Sequence, residues 1–175
     1  MTDAALAGLI RDIPDFPRPG IVFKDITPLL VDGDGLGRAV DGLAAWARPR
    51  RVDIVLAAEA RGFLLGAALA REIGAGFVPA RKPGRLPAAT VSESYALEYG
   101  IDALEVHADA LSGGARVLVH DDLLATGGTA AALCRLARGL GAVVVGCCFL
   151  VELEFLEGRS QLDGLDVHAL VACAS

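Results

Sequence analysis

The chain has 175 residues, a formal net charge of −6 at pH 7 and 54% hydrophobic residues. This length suits one α/β domain with a sizeable core, so we expect residues 1–175 to form a single domain. The acidic balance argues against a nucleic-acid-binding protein, and no stretch approaches the roughly 20 apolar residues that cross a bilayer, which argues against a membrane protein.

The start of the chain predicts a short helix followed by an irregular segment. Residues 3–12 have leucine and isoleucine at helical spacing. The two prolines and the glycine of residues 15–20 end any regular element. The next segment, residues 21–30, is apolar on both sides of Lys24. It predicts either a loop packed against the core or the wall of a pocket, with Phe23 as a stacking face.

Strand and helix patterns alternate along the rest of the chain. This alternation predicts an α/β fold with a twisted, mostly parallel sheet and helices on both of its faces. The expected elements are helix 34–46, strand 52–58, helix 63–73, strand 76–82, short strands 94–100 and 102–109, strand 116–119, helix 130–138, strand 142–152 and strand 166–173.

The first strand-to-helix junction contains Glu59, Ala60 and Arg61. In a parallel sheet such a loop lies at the carboxyl ends of the strands, where open α/β folds bind ligands. A local ion pair between Glu59 and Arg61 is the plainer alternative, and an exposed pair would contribute little to stability.

A long basic loop follows the next strand. Residues 83–94 lack periodicity, and long loops without regular structure in compact domains are often lids. Together with Arg61, the cations Arg81, Lys82 and Arg85 are candidates to bind a pyrophosphate. From the residues alone, a solvated basic loop is the favoured alternative.

The second junction, residues 116–129, combines four features in order: a β-branched strand, the pair Asp121 and Asp122, a glycine-rich turn over residues 125–129, and a helix start. Backbone N–H groups at a helix N-terminus suit a phosphate, and carboxylates suit hydroxyl donors. Phosphate and vicinal hydroxyls together describe a ribose 5-phosphate. A solvated acidic turn is the alternative, and neither a Walker A loop nor a Gly-x-Gly-x-x-Gly motif is present.

The cysteines and histidines indicate no metal chemistry. The four cysteines lack C-x-x-C spacing, so free buried thiols in a cytoplasmic protein are a better interpretation than a disulfide framework. The first residues also lack the basic flank and the apolar core of a signal peptide. The three histidines are scattered. We interpret His120 as a hydrogen-bonded strand histidine and not as a base.

The string Asp-Asp-Leu-Leu-Ala-Thr-Gly-Gly-Thr at residues 121–129 resembles the phosphoribosyl-pyrophosphate (PRPP) signature of type I phosphoribosyltransferases, in its adenine phosphoribosyltransferase version. The resemblance runs from about residue 16 to residue 151. It implies the type I phosphoribosyltransferase fold with a small N-terminal hood at about residues 1–33 and a flexible catalytic loop at about 83–100. Similar strings lie at residues 19–28, 59–63, 81–87 and 95–100.

The resemblance implies that adenine and PRPP give AMP and diphosphate in purine salvage, with Mg²⁺ carried by the diphosphate and not by a protein site, and with a homodimer as the assembly. It implies a catalytic role for Glu98, Tyr99 and Arg61. The base-binding set that it implies is Val22, Phe23, Lys24 and Arg61. The PRPP-binding set is Glu59, Ala60, Arg61, Lys82, Arg85, Asp121, Asp122, Ala125, Thr126, Gly127, Gly128 and Thr129.

Three residues depart from the family pattern. Lys24 stands where the family often has arginine, Arg85 replaces the usual lysine, and His120 replaces an apolar residue. Two other functions stay open: transfer to hypoxanthine, guanine or xanthine, and a non-catalytic nucleotide-sensing regulator of the same fold. From the residues alone, Glu98 is equally compatible with an exposed strand carboxylate.

Overall fold

The computed structural model describes residues 3–97 and 100–174. In these two ranges the helices are Ala4–Ala7 (α1), Thr27–Val31 (α2), Gly33–Ala47 (α3), Gly62–Ile73 (α4) and Gly128–Gly139 (α5). The strands there are Arg11–Ile13 (β1), Phe23–Asp25 (β2), Ile54–Ala58 (β3), Gly76–Ala80 (β4), Thr90–Leu97 (β5), Gly100–His107 (β6), Arg116–Leu124 (β7), Val143–Leu153 (β8) and Val167–Cys173 (β9). Among the described residues, no helix is long and apolar enough to cross a membrane.

The central sheet has five parallel strands in the order β4-β3-β7-β8-β9. From β3 the chain continues outwards to β4 in one direction, whereas from β7 it continues to β8 and β9 in the other. The carboxyl ends of β3 and β7 therefore form the topological switch point, where open α/β sheets bind their ligands. Both junction loops that the sequence singles out begin at this point.

Apolar side chains cover both faces of the sheet, as the sequence predicts. Successive residues of β7 point to opposite faces. Val119 is fully buried on one face with Leu133 of α5. Leu118 is fully buried on the other face with Leu43 of α3 and Leu69 of α4. Helices on both sides of the sheet exclude water from it and hold the junction loops at one edge.

The prediction of a helix over residues 3–12 is wrong in its extent. Asp3 caps α1 by accepting hydrogen bonds from two backbone N–H groups, and the helix ends at Gly8. The chain then forms β1, which pairs antiparallel with β2. Ion pairs hold this ladder, with Arg11 Nη2 at 2.6 Å from Asp25 Oδ2. A cross-strand partner 14 residues away leaves no local signal in the sequence.

The expected loop over residues 83–94 is shorter than predicted because β5 begins at Thr90 and pairs antiparallel with β6. The hairpin packs on α5, where Arg135 Nε lies 2.5 Å from Glu93 Oε1. Tyr95 of β5 lies next to Thr129 at the start of α5, and its hydroxyl donates to Asp102 Oδ2 of β6 at 3.4 Å. The hairpin therefore borders the second junction loop.

Candidate functional site

The acidic pair lies within β7 and not after it. The apolar run in the sequence predicts a strand that ends at Val119, but β7 continues to Leu124. Its partner β8 is 11 residues long, and after a register shift between Val117 and Leu118 the pairing is regular, with Asp121 opposite Phe149 and Leu124 opposite Glu152. Because this pairing keeps the backbone extended, the two carboxylates are held on a rigid strand.

The loop over residues 125–129, which we call the phosphate loop, turns sharply into α5. Gly127 has φ +85, a left-handed conformation, and precedes the first residue of the helix. No side chain caps this helix N-terminus. A cavity of about 60 Å³ is lined by residues 123–130. Uncapped N–H groups at a helix start favour an anion, so the loop has the geometry that the sequence predicts for a phosphate.

Asp121 and Asp122 meet Arg61 at the switch point. Arg61 Nε lies 3.0 Å from Asp122 Oδ2, but the contact is an ion pair without an aligned hydrogen bond, because this buried oxygen has no hydrogen-bond partner in the described residues. Burial raises the pKa of both carboxyls. The charge of Asp122 raises the pKa of Asp121 further, whereas Arg61 lowers that of Asp122. Asp122 thus presents an unsatisfied acceptor in the site.

Glu59 of the first junction loop is hydrogen-bonded to the residues that directly follow β4, and not to Arg61 of its own loop. Glu59 accepts hydrogen bonds from the Lys82 backbone N–H and from Arg81 Nη2, the latter at 3.2 Å. Burial raises the pKa of Glu59, but these two contacts outweigh burial and leave it below its usual value. The local ion pair between Glu59 and Arg61 considered above is not formed. Ala60 follows Glu59 through a cis peptide bond.

The basic candidates are brought together near this loop. Arg81 Nη1 donates to the Arg85 carbonyl oxygen at 3.3 Å, and Arg85 acts electrostatically on Glu59. Lys82 Nζ lies 3.1 Å from Asp102 Oδ2 on β6. Arg81 and Lys82 are therefore paired with carboxylates, and a pyrophosphate would compete with those carboxylates for them.

A second cavity, of about 340 Å³, adjoins the phosphate loop, and we call it the base cavity. Hood residues line it on one side, including Val22 and Phe23. Arg61 Cζ lies 4.7 Å from the centre of the Phe23 ring, and Arg61 Nη1 donates to the Lys24 carbonyl oxygen at 3.4 Å. Arg61 thus connects the hood, the base cavity and the acidic pair.

Lys24 contributes to the base cavity differently from what its charge suggests. Its side chain is buried, and Nζ lies 2.9 Å from Asp12 Oδ1 on β1. The ammonium group therefore stabilises the antiparallel pairing of β1 with β2 in the hood. Its backbone carbonyl oxygen, which accepts the hydrogen bond from Arg61, is the atom that faces the site.

The base cavity also contains residues that the sequence analysis missed. Leu123 from β7 lines it together with Leu153, Phe155 and Leu156 from the end of β8 and the turn after it. A run of apolar residues within the otherwise polar stretch after β8 was the available signal. Their contact with the hood, more than 100 positions earlier in the chain, was not visible.

Glu98 and Tyr99 lie outside the described residues. Their catalytic role stays a prediction.

His120 is a hydrogen-bonded strand histidine, as interpreted from the sequence, but among the described residues only one of its two ring nitrogens has a partner. It is fully buried, Nδ1 donates to the Cys148 carbonyl oxygen at 3.0 Å, and Nε2 has no partner in the described residues. Burial lowers its pKa to about 4, although the hydrogen bond to Cys148 opposes the shift. The neutral imidazole is therefore the form that the fold accommodates, and it is not suited to act as a base near pH 7.

We expect His120→Val to flatten the loss of stability in acid. The unfolded chain binds this proton near pH 6.5 and the folded chain near pH 4, so between these values the unfolded state holds more protons and stability falls as pH falls. This one group costs the parent protein about 3 kcal/mol over that range. Urea unfolding of parent and variant from pH 7 to pH 4 tests this, and parallel curves of unfolding free energy against pH would contradict it.

Comparison with known proteins agrees with this geometry. The family model for the phosphoribosyl transferase domain matches residues 30–167. The adenine phosphoribosyltransferase of Desulfitobacterium hafniense is 57% identical over 162 residues, covering 93% of this chain and 94% of that protein. The crystal structure of the adenine phosphoribosyltransferase of Thermoanaerobacter pseudethanolicus superposes with a TM-score of 0.94 at 51% identity, covering 97% of this chain and 98% of that one.

A more distant structure, that of the Giardia lamblia enzyme complexed with 9-deazaadenine, has a TM-score of 0.94 at 33% identity and covers 100% of this chain and 99% of that one. The chain belongs to the phosphoribosyltransferase family. Within that family it is one of the adenine phosphoribosyltransferases, and the fold is the type I fold that the sequence predicts.

Proposed function

We propose that the chain transfers the 5-phosphoribosyl group of PRPP to adenine, giving AMP and diphosphate, at the switch point of its sheet. The observation that carries the proposal is that Leu123, Ala125 and Thr126 line both the phosphate-loop cavity and the base cavity. A molecule with a phosphate at one end and a purine at the other would span the two. This is the shape of AMP, and the Giardia relative is crystallised with an adenine analogue.

Measurement of AMP formation with each purine base tests this function. With PRPP and Mg²⁺ present, we expect turnover with adenine and little with hypoxanthine, guanine or xanthine. Faster turnover with another purine would reassign the base. Binding of AMP without turnover of any base would favour the nucleotide-sensing alternative.

In this proposal the residues of the site divide the work of the transfer. Backbone N–H groups of the phosphate loop bind the 5′-phosphate, and Asp121 and Asp122 accept hydrogen bonds from the ribose hydroxyls. A hydroxyl donor would satisfy the buried Oδ2 of Asp122, which has no partner in the described part of the chain. Positive charge that develops on the ribose in the transition state is stabilised by the same two carboxylates.

The leaving diphosphate is assigned to the first junction loop and its basic neighbours. The backbone of Glu59 and Ala60 lies at the carboxyl end of β3, with Arg61, Lys82 and Arg85 close to it. Lys82 would leave its ion pair with Asp102 and form one with a diphosphate oxygen of PRPP instead. Fixed cations around a leaving group lower the barrier because their orientation costs nothing at the moment of reaction.

Mg²⁺ fits this site as an ion carried by the substrate. No group of three or more acidic, histidine or cysteine side chains forms a metal site in residues 3–97 and 100–174. Mg²⁺ commonly binds through substrate phosphates, several waters and one or two carboxylates. Any protein ligands would be Asp121 and Asp122, where Oδ2 of Asp122 is paired with Arg61 but has no hydrogen-bond partner in the described residues. The bound ion would neutralise charge on the leaving diphosphate.

Further parts of the proposal concern closure and assembly. Residues 1–33 act as a hood over adenine, and the region around residues 83–100 closes over PRPP and excludes water, which would hydrolyse the donor. The proximity of Tyr95 to Thr129 supports this arrangement, because it places the hairpin beside the phosphate loop. We further propose a single-domain homodimer that works in the cytoplasm in purine salvage.

Phe23→Ala should weaken adenine binding selectively. An aromatic ring stacked on a base contributes roughly 1–3 kcal/mol, so the KM for adenine should rise about ten-fold or more. The KM for PRPP should change far less, because Phe23 does not line the phosphate-loop cavity. Steady-state kinetics with each substrate varied in turn measures both values. Phe23→Leu keeps an apolar side chain without the flat ring, so its KM for adenine should lie between those of the parent and of Phe23→Ala. Equal rises in the KM for adenine and the KM for PRPP would contradict the assignment.

A further inference from the structure

The segment that follows β8, residues 154–162, packs against the back of the phosphate loop. A side-chain carbon at Gly158 would lie 2.2 Å from the Ala125 carbonyl oxygen. A side-chain carbon at Gly127 would lie 2.3 Å from the Gly158 carbonyl oxygen. No side chain fits between the two backbones at either point. Any displacement of the 154–162 segment is therefore transmitted directly to the loop.

The same segment lines the base cavity. Phe155 and Leu156 face it opposite Val22 and Phe23 of the hood. At its far end, Leu162 is 3% exposed and anchors the segment in the core on the α5 side of the sheet. One short stretch of chain thus contacts both subsites.

An ion pair in the same segment ties it to the sheet. Arg159 Nε and Nη2 each donate to one carboxylate oxygen of Glu152, both at 2.6 Å, and Nη1 donates to the Val167 carbonyl oxygen at 2.9 Å. Glu152 lies near the end of β8 and is 4% exposed. Only a guanidinium can form this two-pronged contact, because a lysine ammonium donates from a single point. Without it, Glu152 would be a buried carboxylate lacking its counterion.

We propose that Arg159 is a positioning residue for phosphoribosyl transfer: its bidentate pair with Glu152 holds the 154–162 segment, and that segment sets the phosphate loop and the base cavity at the distance that one bound nucleotide requires. The proposal rests on the proposed function. It assigns a role in substrate binding to a side chain that touches neither substrate. The three hydrogen bonds of Arg159 go to β8 and β9, and Arg159 lines neither cavity.

The first test replaces Arg159 by methionine and by lysine. Methionine keeps the length of the side chain and removes all three donors, so the Kd for AMP should rise about ten-fold or more. Lysine restores the charge without the fork and should restore only part of the affinity. Calorimetric titration with AMP at 25 °C, below the thermal midpoint of each variant, is the measurement. The matched control is Arg48→Met, which removes an exposed ion pair with Glu72 of α4, and Arg48 lines neither cavity.

A second variant keeps the proposal open to refutation if Arg159→Met does not fold. Gly158 lies outside the left-handed region, so alanine is conformationally allowed there and acts through its close contacts with the Ala125 backbone and, at 3.0 Å, with Leu124 Cδ1. We expect Gly158→Ala to raise the KM for PRPP more than the KM for adenine. Gly37→Ala, in open space on α3, should leave both values unchanged.

The outcomes separate this proposal from the proposed function. Folded Gly158→Ala and Arg159→Met proteins that bind AMP within about three-fold of the parent would overturn the positioning role. A lower thermal midpoint with unchanged AMP affinity would show a purely structural contact and would overturn it equally. A parent protein that forms no AMP from any base refutes the function itself, whereas AMP binding by the parent still allows the positioning test.

Discussion

Gly127→Val should abolish useful binding of PRPP, with a loss of affinity of at least about a hundred-fold, or roughly 2.7 kcal/mol. Two independent effects act at this position. Its φ of +85 is costly for a β-branched residue, and a side-chain carbon would meet the Gly158 carbonyl oxygen at 2.3 Å. The loop would have to move away from the start of α5, and the N–H groups would no longer converge on one phosphate. Calorimetric titration with PRPP and with ribose 5-phosphate measures the loss.

The matched control is Gly113→Val. Gly113 lies in a surface turn without a left-handed φ, and a side-chain carbon added there would have no neighbour within 4 Å. The same substitution there should leave PRPP binding unchanged. If Gly127→Val folds and titrates like the parent, residues 125–129 do not bind the 5′-phosphate.

The succession of strands and helices along the chain was predictable because each element depends on a local pattern. Short apolar runs that alternate with helical periodicity describe β3, α4, β7, α5 and β8, and a parallel sheet is the common solution for such alternation. The ends of the strands were less predictable. The length of β7 depends on its pairing with β8, where Asp121 is opposite Phe149, 28 positions further along the chain. Asp121 and Asp122 look like a turn in the sequence and become part of a strand through that partner.

In the hood, too, pairing with a distant strand decides the secondary structure, and the sequence does not show that pairing. Residues 3–12 have helical spacing, but pairing with β2 converts Arg11–Ile13 into a strand. Propensity in a stretch this short is a weak signal that tertiary contacts override. The helix Thr27–Val31 was not predicted, although Pro28 at its start is a residue that suits a helix N-terminus.

In the site, the residues that share one motif were predictable, and those that meet across the fold were not. The phosphate loop and the acidic pair are close together in the sequence, so the sequence alone shows that they are close in space. The contacts of Arg61 with Asp122 and with the Lys24 carbonyl oxygen join three separate segments. Nothing local to Phe155 or Leu156 indicates that they face the hood. The roles assigned to all these residues stay predictions until the variants are measured.

Transfer of the phosphoribosyl group to adenine requires a group that exchanges the proton of the base. The described residues that line the base cavity include no aspartate, glutamate or histidine, and Lys24, the one ionisable residue among them, has its ammonium group paired with Asp12. In the proposed mechanism Asp121 and Asp122 are occupied by the ribose, and His120 is buried on the strand with a pKa of about 4. We therefore keep Glu98, from the proposed closing loop, as the candidate acid or base for adenine.

Glu98→Gln should lower kcat by about 10²–10⁴-fold, the range that a positioned general acid or base supplies. The amide keeps the size and hydrogen-bonding capacity of the side chain but cannot exchange the proton at N9 of the purine as the new bond forms. PRPP affinity should be nearly unchanged, and Glu98→Ala should be no better than Glu98→Gln. Glu93→Gln is the matched control, because Glu93 is a nearby glutamate in the sequence that lies on β5, pairs with Arg135 and does not line the base cavity. Single-turnover formation of AMP is the measurement, since product release cannot then mask the chemical step; a rate for Glu98→Gln within about three-fold of the parent would remove Glu98 from the mechanism.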